Sequence, residues 1–95
     1  MLRATQAVTE MRHWTEARGG RPCRDEESGR LWIALPGEPC EARDVGWDEF
    51  EVTFRVNGLV FLYDDAPGAR RLFVGKPDAA RAWMCGGARD AAAQA

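Results

Sequence analysis

The stretch LVFLYDDAPGARRLFVG, residues 59–75, predicts the central hairpin of the fold. Its first half is apolar, β-branched and aromatic, which is typical of a strand that is covered on both faces. The segment APGA at 66–69 has the composition of a turn, and RRLFVG at 70–75 has that of a returning strand. We therefore predict two adjacent antiparallel strands, over 59–65 and 70–75.

The segment before this hairpin, WDEFEVTFRVN at 47–57, fits two structures. As a helix it has Gly46 at the N-cap, acidic residues in its first turn and Gly58 after its last turn. As a strand it alternates apolar and polar residues over FEVTFRV at 50–56, with β-branched residues that lower helix propensity. The agreement of the signals at both ends favours the helix.

A second hairpin is predicted nearer the N-terminus. Its strands cover 21–25 and 30–35, and Gly29 lies in the turn that joins them. The alternation in RLWIAL places three aliphatic side chains on one face of the second strand and Trp32 on the other. The segment PGEP at 36–39 ends this strand, because proline cannot donate a hydrogen bond to the ladder.

Helices are predicted towards both ends of the chain. Apolar residues recur with helical spacing between Thr5 and Arg18, and KPDAARAWM at 76–84 has proline at the first helical position. The element order is α-β-β-α-β-β-α, which predicts an α+β fold: a small two-layer sandwich with an antiparallel sheet of two hairpins and helices on one face. We expect a single domain over 1–85 and a flexible C-terminal tail over 86–95.

The composition is that of an ordinary globular domain. The chain has 95 residues and a net charge of -2, with 13 basic and 15 acidic side chains. A negative net charge argues against a dedicated nucleic-acid-binding domain, although it leaves room for a local basic patch. The chain has neither the apolar core of a signal peptide nor an apolar stretch of membrane-spanning length, so we expect a cytoplasmic location and no membrane partner.

The cysteines predict neither a disulfide framework nor a zinc site. Cys23, Cys40 and Cys85 are odd in number and include no CxxC pair, a pattern that fits a reducing compartment. The only serine is Ser28, in a predicted turn, and the only histidine is His13, on a predicted helix. Because no nucleophile and base are paired by any local signature, we predict no catalytic residue, no metal and no cofactor.

The segment RGGRP, residues 18–22, has two interpretations. Gly19 follows Arg18 where a helix favours a left-handed residue, and Pro22 comes soon afterwards, so the segment can simply end the helix. Two glycines can also expose backbone N–H groups to a phosphate, with Arg18 and Arg21 as bidentate donors. Because the loop follows a helix, it meets the negative end of the helix dipole, which favours the helix stop.

Two binding functions are compatible with these residues. A small domain rich in Trp and Phe often leaves an apolar patch or an edge strand for a protein partner or a second copy, so we rank protein–protein association first. The alternative is nucleic-acid binding by an arginine-rich face with a stacking tryptophan. We predict no enzymatic activity. The candidate binding residues are Arg18, Gly19, Gly20, Arg21, Trp32, Arg70 and Arg71.

Three motifs resemble a family of small uncharacterised prokaryotic proteins. They are W-x-E-x-R-G-G-x-P at 14–22, W-D-E-F-x-x-x-F at 47–54 and L-x-F-L-Y at 59–63, and the resemblance covers about residues 11–75. The family pattern has Ser where this chain has Gly46; both suit a helix N-cap, so the resemblance implies a helix there. Some members are labelled glucan branching enzyme, but such enzymes rest on a barrel of roughly 200 residues or more, so we do not expect that activity here.

Overall fold

The computed structural model describes residues 1–40 and 43–93 of the chain. In chain order the elements are β1 Leu2–Thr5, α1 Val8–Ala17, β2 Arg21–Arg24, β3 Leu31–Ala34, β4 Arg43–Asp44, α2 Trp47–Val56, β5 Val60–Asp64, β6 Leu72–Gly75 and α3 Pro77–Ala93. The described strands form two antiparallel sheets, with the orders β1-β5-β6 and β3-β2-β4. The predicted α+β class is therefore confirmed.

Each predicted hairpin gains a third strand from elsewhere in the chain. β1 pairs with β5, and the two-residue strand β4 pairs with β2. The structure places Thr5 in β1, although the sequence predicts a helix there, and α1 begins only at Val8. Both added strands are short and largely exposed, so their pairing depends on partner strands that are distant in sequence. The predicted order of the other elements is retained.

The segment 47–57 contains a helix, as predicted, and the strand alternative is wrong. Phe50 and Phe54 are 0% and 2% exposed, whereas Val52 and Val56 are 61% and 79% exposed. Burial at every fourth residue is the pattern of one helix face, whereas a strand would have placed all four side chains on the same face. The helix therefore presents its phenylalanines to the core and its valines to solvent.

The main core lies between α1, α2 and one face of each sheet. Phe61 and Tyr63 alternate with outward residues in β5 and face this core, as Leu31 and Ile33 do in β3. The ring of Trp14 on α1 meets Phe61 edge to face, with centroids 6.1 Å apart. The buried cluster consists of Met11, Trp14, Leu31, Ile33, Leu35, Val45, Phe50, Phe54, Leu59, Phe61 and Tyr63.

Helix α3 lies on the opposite face of the first sheet. Leu62 points away from Phe61 in β5 and is buried outside the main core, as is Ala80 of α3. The rings of Phe73 on β6 and Trp83 on α3 stack with centroids 5.5 Å apart. The predicted layout, with the helices on one face of the sheet, holds for α1 and α2. Helix α3 covers the other face, because β5 has buried apolar side chains on both of its faces.

Helix α3 continues to Ala93, beyond the predicted end at Met84. The predicted tail over 86–95 thus begins within a helix, and its last two residues, Gln94 and Ala95, lie outside the described residues. The flexibility of this tail stays a prediction. None of the helices in the described part of the chain combines the length and the apolar character that crossing a membrane requires.

Candidate functional site

The glycine pair after α1 ends the helix. Gly20 and Gly19 donate backbone hydrogen bonds of 3.0 Å to the carbonyls of Thr15 and Glu16, the pairing of a Schellman motif. Gly19 has a φ of 72°, in the left-handed region that favours glycine. A Cβ on Gly20 would lie 2.8 Å from Cδ2 of Leu35. Helix termination and close packing therefore account for both glycines, as the helix-stop interpretation expects.

Arg18 directs its guanidinium to backbone carbonyls. Its Nε and Nη2 donate to the carbonyls of Ala69 and Ala66 at 2.6 and 2.8 Å, and its Nη1 donates to the carbonyl of Trp14 at 3.1 Å. The guanidinium carbon also lies 4.2 Å from the centroid of the Trp14 ring. Arg18 thus fastens the loop between β5 and β6 to the end of α1, and its donors are engaged within the chain.

The other predicted arginines also contact groups of the chain. Arg21 Nε lies 3.0 Å from the carboxylate of Asp44, and Arg70 Nη2 lies 3.1 Å from that of Glu38. Arg71 behaves differently, because its guanidinium carbon lies over an aromatic ring of α3, 4.6 Å from the centroid. Four of the predicted residues therefore have partners before any ligand arrives: three arginines with oxygen atoms and one with a ring.

Pro36 marks the place where several predicted residues meet. A Cβ on Gly19 would lie 3.4 Å from Pro36 Cγ, and the Pro36 carbonyl accepts a hydrogen bond of 2.9 Å from Arg70. The loop that Arg18 binds directly precedes Arg70 in the chain. The structure thus brings Arg18, Gly19 and Arg70 together around Pro36 and the loop between β5 and β6, whereas Arg71 contacts α3 instead.

Trp32 lines a cavity between the two sheets. β3 and β6 are edge strands of different sheets and lie beside each other. The cavity along them has a volume of about 440 Å³ and combines three aromatic rings with three charged side chains. Trp32 points into it because it alternates with the core residues Leu31 and Ile33. The characteristic lining residues are Arg30, Trp32, Glu38, Arg70, Phe73 and Trp83.

A second cavity of about 340 Å³ continues the first along the same two strands. Both cavities are lined by Arg30 and Phe73, and the second extends to Lys76 at the start of α3. Because they share walls, we treat the two cavities as one cleft. We call this cleft the seam groove, and its defining residues are Arg30, Trp32, Glu38, Arg70, Phe73, Lys76 and Trp83.

Three cationic side chains border the seam groove. Among the described residues, none of the three has a carboxylate oxygen within 4.0 Å of its charged nitrogens. Arg30 and Lys76 line it, and Arg71 lies over the ring of Trp83. Most other described arginines form such ion pairs with aspartate or glutamate. Positive charge is thus concentrated beside the groove, where the carboxylate of Asp25 interacts with Arg30 only from beyond ion-pair distance.

Sequence reasoning identified only part of this groove. Trp32 and Arg70 stand out in the sequence by their residue type and by their places in predicted strands. Arg30, Phe73 and Lys76 do not, because a half-buried aromatic in a strand and a cation beside a turn are common in local patterns. Only the approach of β3 to β6 makes them neighbours.

Cys23 and Cys40 form a disulfide, so the prediction of no disulfide is wrong. Their Cα atoms are 6.1 Å apart, and Cys23 is fully buried in β2. The spacing of the cysteines gives no sign of the pair, because the chain after β3 returns to β2 only in the folded state. Cys85 is a free, exposed thiol. The cysteine pattern therefore no longer argues for a reducing compartment.

Glu49 connects α2 to the second sheet, which contains β2 and β4. Its carboxylate accepts hydrogen bonds from Arg43 Nη2 at 2.8 Å and from Arg24 Nη1 at 3.2 Å. The hydrogen bond from Arg43, supported by the charge of both guanidinium groups, lowers the pKa of Glu49 below its ordinary value. The ion pairs therefore hold α2 against β2, the strand that also contains Cys23, and against β4.

Comparison with known proteins gives no match to a family model and no significant match to a curated protein or a solved structure. The resemblance of the three sequence motifs therefore remains an expectation, and the geometry of this chain carries the functional argument.

Proposed function

We propose that the chain is a small protein-interaction domain that binds an extended, acidic segment of a partner protein in the seam groove. The single observation that carries this proposal is the pair of edge strands that border an aromatic-lined cleft. Three properties of the groove support it: its backbone edges, its aromatic side chains and its charge.

The two strands along the groove, β3 and β6, have backbone N–H and C=O groups on their unpaired edges. β3 and β6 each pair on one side only, and no backbone hydrogen bond joins them in the part of the chain that the structure describes. An edge strand presents a row of N–H and C=O groups that an extended peptide can pair with. The groove therefore suits a strand-like ligand better than a compact one.

The aromatic side chains provide contact area for such a ligand. Trp32, Phe73 and Trp83 are half-buried, so part of each ring is open to the groove. Aromatic anchors of this kind contribute most to the affinity of protein interfaces. Phe73 and Trp83 are also held by mutual stacking, which reduces the entropy that binding must remove.

The charge beside the groove supports an acidic partner. Arg30, Arg71 and Lys76 have no carboxylate partner among the described residues, and the one carboxylate in the groove, Glu38, is paired with Arg70. Complementary charge accelerates association and disfavours partners of like charge. An acidic segment therefore fits the groove better than a neutral or a basic one.

Nucleic-acid binding is the second candidate, and we rank it behind protein binding because most of the predicted arginines already have partners within the chain. Arg18, Arg21 and Arg70 already donate to carbonyl or carboxylate oxygens, so contact with phosphate would require those partners to be replaced. The proposal includes no catalytic activity. It keeps a cytoplasmic location, with the Cys23–Cys40 pair reduced there.

The binding test uses two blocked peptides in which valine alternates with either glutamate or glutamine. The ¹⁵N-labelled protein is titrated with each peptide, and the backbone amide shifts are followed. We expect the glutamate peptide to shift the amides of β3 and β6 saturably, and the glutamine peptide to bind at least about tenfold more weakly because it lacks the charge. Equal binding of both peptides would contradict the proposal.

Variants separate the groove from the rest of the surface. Trp32→Ala and the double variant Arg30→Glu, Lys76→Glu are expected to abolish the shifts. The charge-matched double variant Arg12→Glu, Arg55→Glu, on the exposed faces of α1 and α2, is expected to retain them. A pool of mixed single-stranded oligonucleotides and light scattering of the free protein complete the test. Salt-sensitive binding of the oligonucleotides, or a stable dimer that occupies the groove, would replace the acidic peptide as ligand.

A further inference from the structure

The disulfide lies next to a carboxylate. Cys23 and Asp44 are opposite each other in the paired strands β2 and β4, and Cys40 reaches them from the loop after β3. The Sγ atoms of Cys23 and Cys40 and one carboxylate oxygen of Asp44 lie within 4.8 Å of one another. The distance from Cys23 Sγ to Asp44 Oδ1 is 3.9 Å. Two sulfurs and one oxygen therefore converge on a single point of the second sheet.

We propose that the reduced form of this cluster binds Zn²⁺ through the thiolates of Cys23 and Cys40 and the carboxylate of Asp44, with water as the fourth ligand. The disulfide is then the metal-free, oxidised state of the same site. This departs from the sequence-based expectation that the chain binds no metal, and it is independent of the proposed peptide binding.

The conversion between the two states is a balanced exchange. A dithiol reductant supplies two electrons and two protons and becomes a disulfide, while the Cys23–Cys40 bond breaks and each sulfur gains a proton. Zn²⁺ then replaces both thiol protons, which pass to solvent. In the reverse direction Zn²⁺ leaves as both sulfurs regain protons, and the disulfide form of the reductant accepts two electrons and two protons as the Cys23–Cys40 bond forms again.

The geometry needs little rearrangement. Zn²⁺ binds thiolate sulfur at about 2.3 Å and carboxylate oxygen at about 2.0–2.2 Å in tetrahedral sites, which places neighbouring ligand atoms roughly 3.5–3.8 Å apart. Cys23 and Asp44 already lie close to that separation, on two strands that are held by pairing. Only Cys40 must move away from Cys23, and it is half-buried on a loop rather than fixed in a strand.

The surroundings balance the charge of the occupied site. Two thiolates and one carboxylate around Zn²⁺ leave one net negative charge. Arg21 Nε lies 3.0 Å from Asp44 Oδ1, so a positive charge already lies beside the site and contacts its carboxylate. Asp44 is exposed whereas Cys23 is buried, so a water ligand can enter from the Asp44 side. A disulfide alone makes no use of these two charged side chains.

The test measures metal uptake by the full chain after reduction with a phosphine, which does not chelate zinc as a dithiol would. Zn²⁺ is titrated in competition with a chromophoric chelator, and Co²⁺ is added separately as a spectroscopic probe. We expect one Zn²⁺ per chain for the reduced protein, none for the oxidised protein, and a thiolate-to-cobalt charge-transfer band with Co²⁺. Absence of uptake by the folded, reduced protein would overturn the proposal.

Three variants identify the ligands. Cys40→Ser on the loop is expected to abolish binding, and Asp44→Asn to weaken it by about tenfold or more while leaving the disulfide able to form. Cys85→Ser is the matched control, because it removes the exposed free thiol and leaves the cluster intact. Asp44→Asn with unchanged affinity, or loss of binding in Cys85→Ser, would show that the metal is held elsewhere. Circular dichroism of each variant verifies that it is folded.

Discussion

The guanidinium of Arg18 lies over the ring of Trp14, one helical turn earlier, at 4.2 Å from its centroid. From there it donates to the carbonyls of Ala66 and Ala69, while Trp14 Nε1 donates to the carbonyl of Asp64 at 2.8 Å. This pair of side chains connects the last turn of α1 to the end of β5 and the loop after it. Arg18, which the sequence suggests as a phosphate ligand, therefore donates its hydrogen bonds to backbone carbonyls of its own chain.

Replacement of this arginine is expected to reduce stability. Arg18→Ala removes charge-assisted hydrogen bonds to three carbonyls, so we expect the free energy of unfolding to fall by about 1.5–3 kcal/mol. Arg18→Lys should recover only part of this loss, because an ammonium lacks the planar fork that reaches several carbonyls. Urea denaturation followed by tryptophan fluorescence measures both changes.

The control for this series is Arg12→Ala, at an exposed arginine on the same helix that pairs with Glu16. We expect a loss of no more than about 0.5 kcal/mol, as is usual for exposed pairs of this spacing. Equal effects of Arg12→Ala and Arg18→Ala would mean that the carbonyl contacts contribute nothing specific.

The second glycine after α1 should not tolerate a side chain. A Cβ on Gly20 would lie 2.8 Å from Leu35 Cδ2 and 3.2 Å from the carbonyl oxygen of Ala34. Gly20→Ala is therefore expected to lower the free energy of unfolding by about 1–3 kcal/mol through overpacking. Thermal denaturation by circular dichroism measures the effect.

A glycine in open space serves as the comparison. Gly46 has a φ of -75° and no atom within 4 Å of the Cβ position, so Gly46→Ser should be neutral or slightly stabilising at this N-cap. If Gly20→Ala were as stable as Gly46→Ser, the packing account of the RGGRP segment would be incorrect.

The ion pairs of Glu49 predict a dependence of stability on pH. The hydrogen bond from Arg43 holds the pKa of Glu49 below its ordinary value of 4.5. A carboxyl with a depressed pKa in the folded state stabilises the fold above the ordinary pKa, and this contribution disappears as the pH falls through the folded-state pKa. Glu49→Gln should therefore be less stable than the natural chain at neutral pH and should approach it below pH 4.5.

The measurement is the denaturation midpoint of both proteins from pH 7 down to about pH 2, a range that extends well below the ordinary pKa of a carboxyl group. Glu51→Gln is a suitable control, because Glu51 forms only an exposed pair with Arg55 on α2. If the denaturation midpoints of Glu49→Gln and the natural chain differed by the same amount at pH 7 and at about pH 2, the ion pairs of Glu49 would not be the cause.

The disulfide should contribute to stability only under oxidising conditions. It closes a loop with a sequence separation of 17, for which loop closure accounts for about 3 kcal/mol. Cys40→Ser should lose about that much when the natural chain is oxidised, and the two proteins should converge once a phosphine reductant and a chelator are present. Persistence of the full difference after reduction would show that Cys40 acts through packing instead.

Local patterns in the sequence predicted much of the fold. The end signals of α2, Gly46 and Gly58, agree with its observed bounds, and both central hairpins are where the alternation and turn residues place them. Gly19 and Gly58 each adopt the left-handed conformation that a helix stop favours. Such features depend on residues within a few positions of one another, so a short window of sequence contains the information.

Other features depend on segments that meet only after folding. β1 is a strand because β5, some sixty residues later, offers it an edge, and the short polar strand β4 depends on β2 in the same way. Sequence reasoning selected Trp32 and Arg70 for the candidate site, but it could not join them to Phe73 or Lys76. Their proximity results from the meeting of two sheets at β3 and β6.

The α+β class, the helix at 47–56 and the two hairpins follow from local sequence, because hydrophobic periodicity and turn chemistry act over short stretches of chain. The chemistry available to the same residues depends on how the chain packs. This packing engages Arg18 with carbonyls, joins Cys23 to Cys40 beside Asp44, and leaves cations beside a groove between two sheets. Those outcomes depend on distances between remote parts of the chain, which only the packing of the core sets.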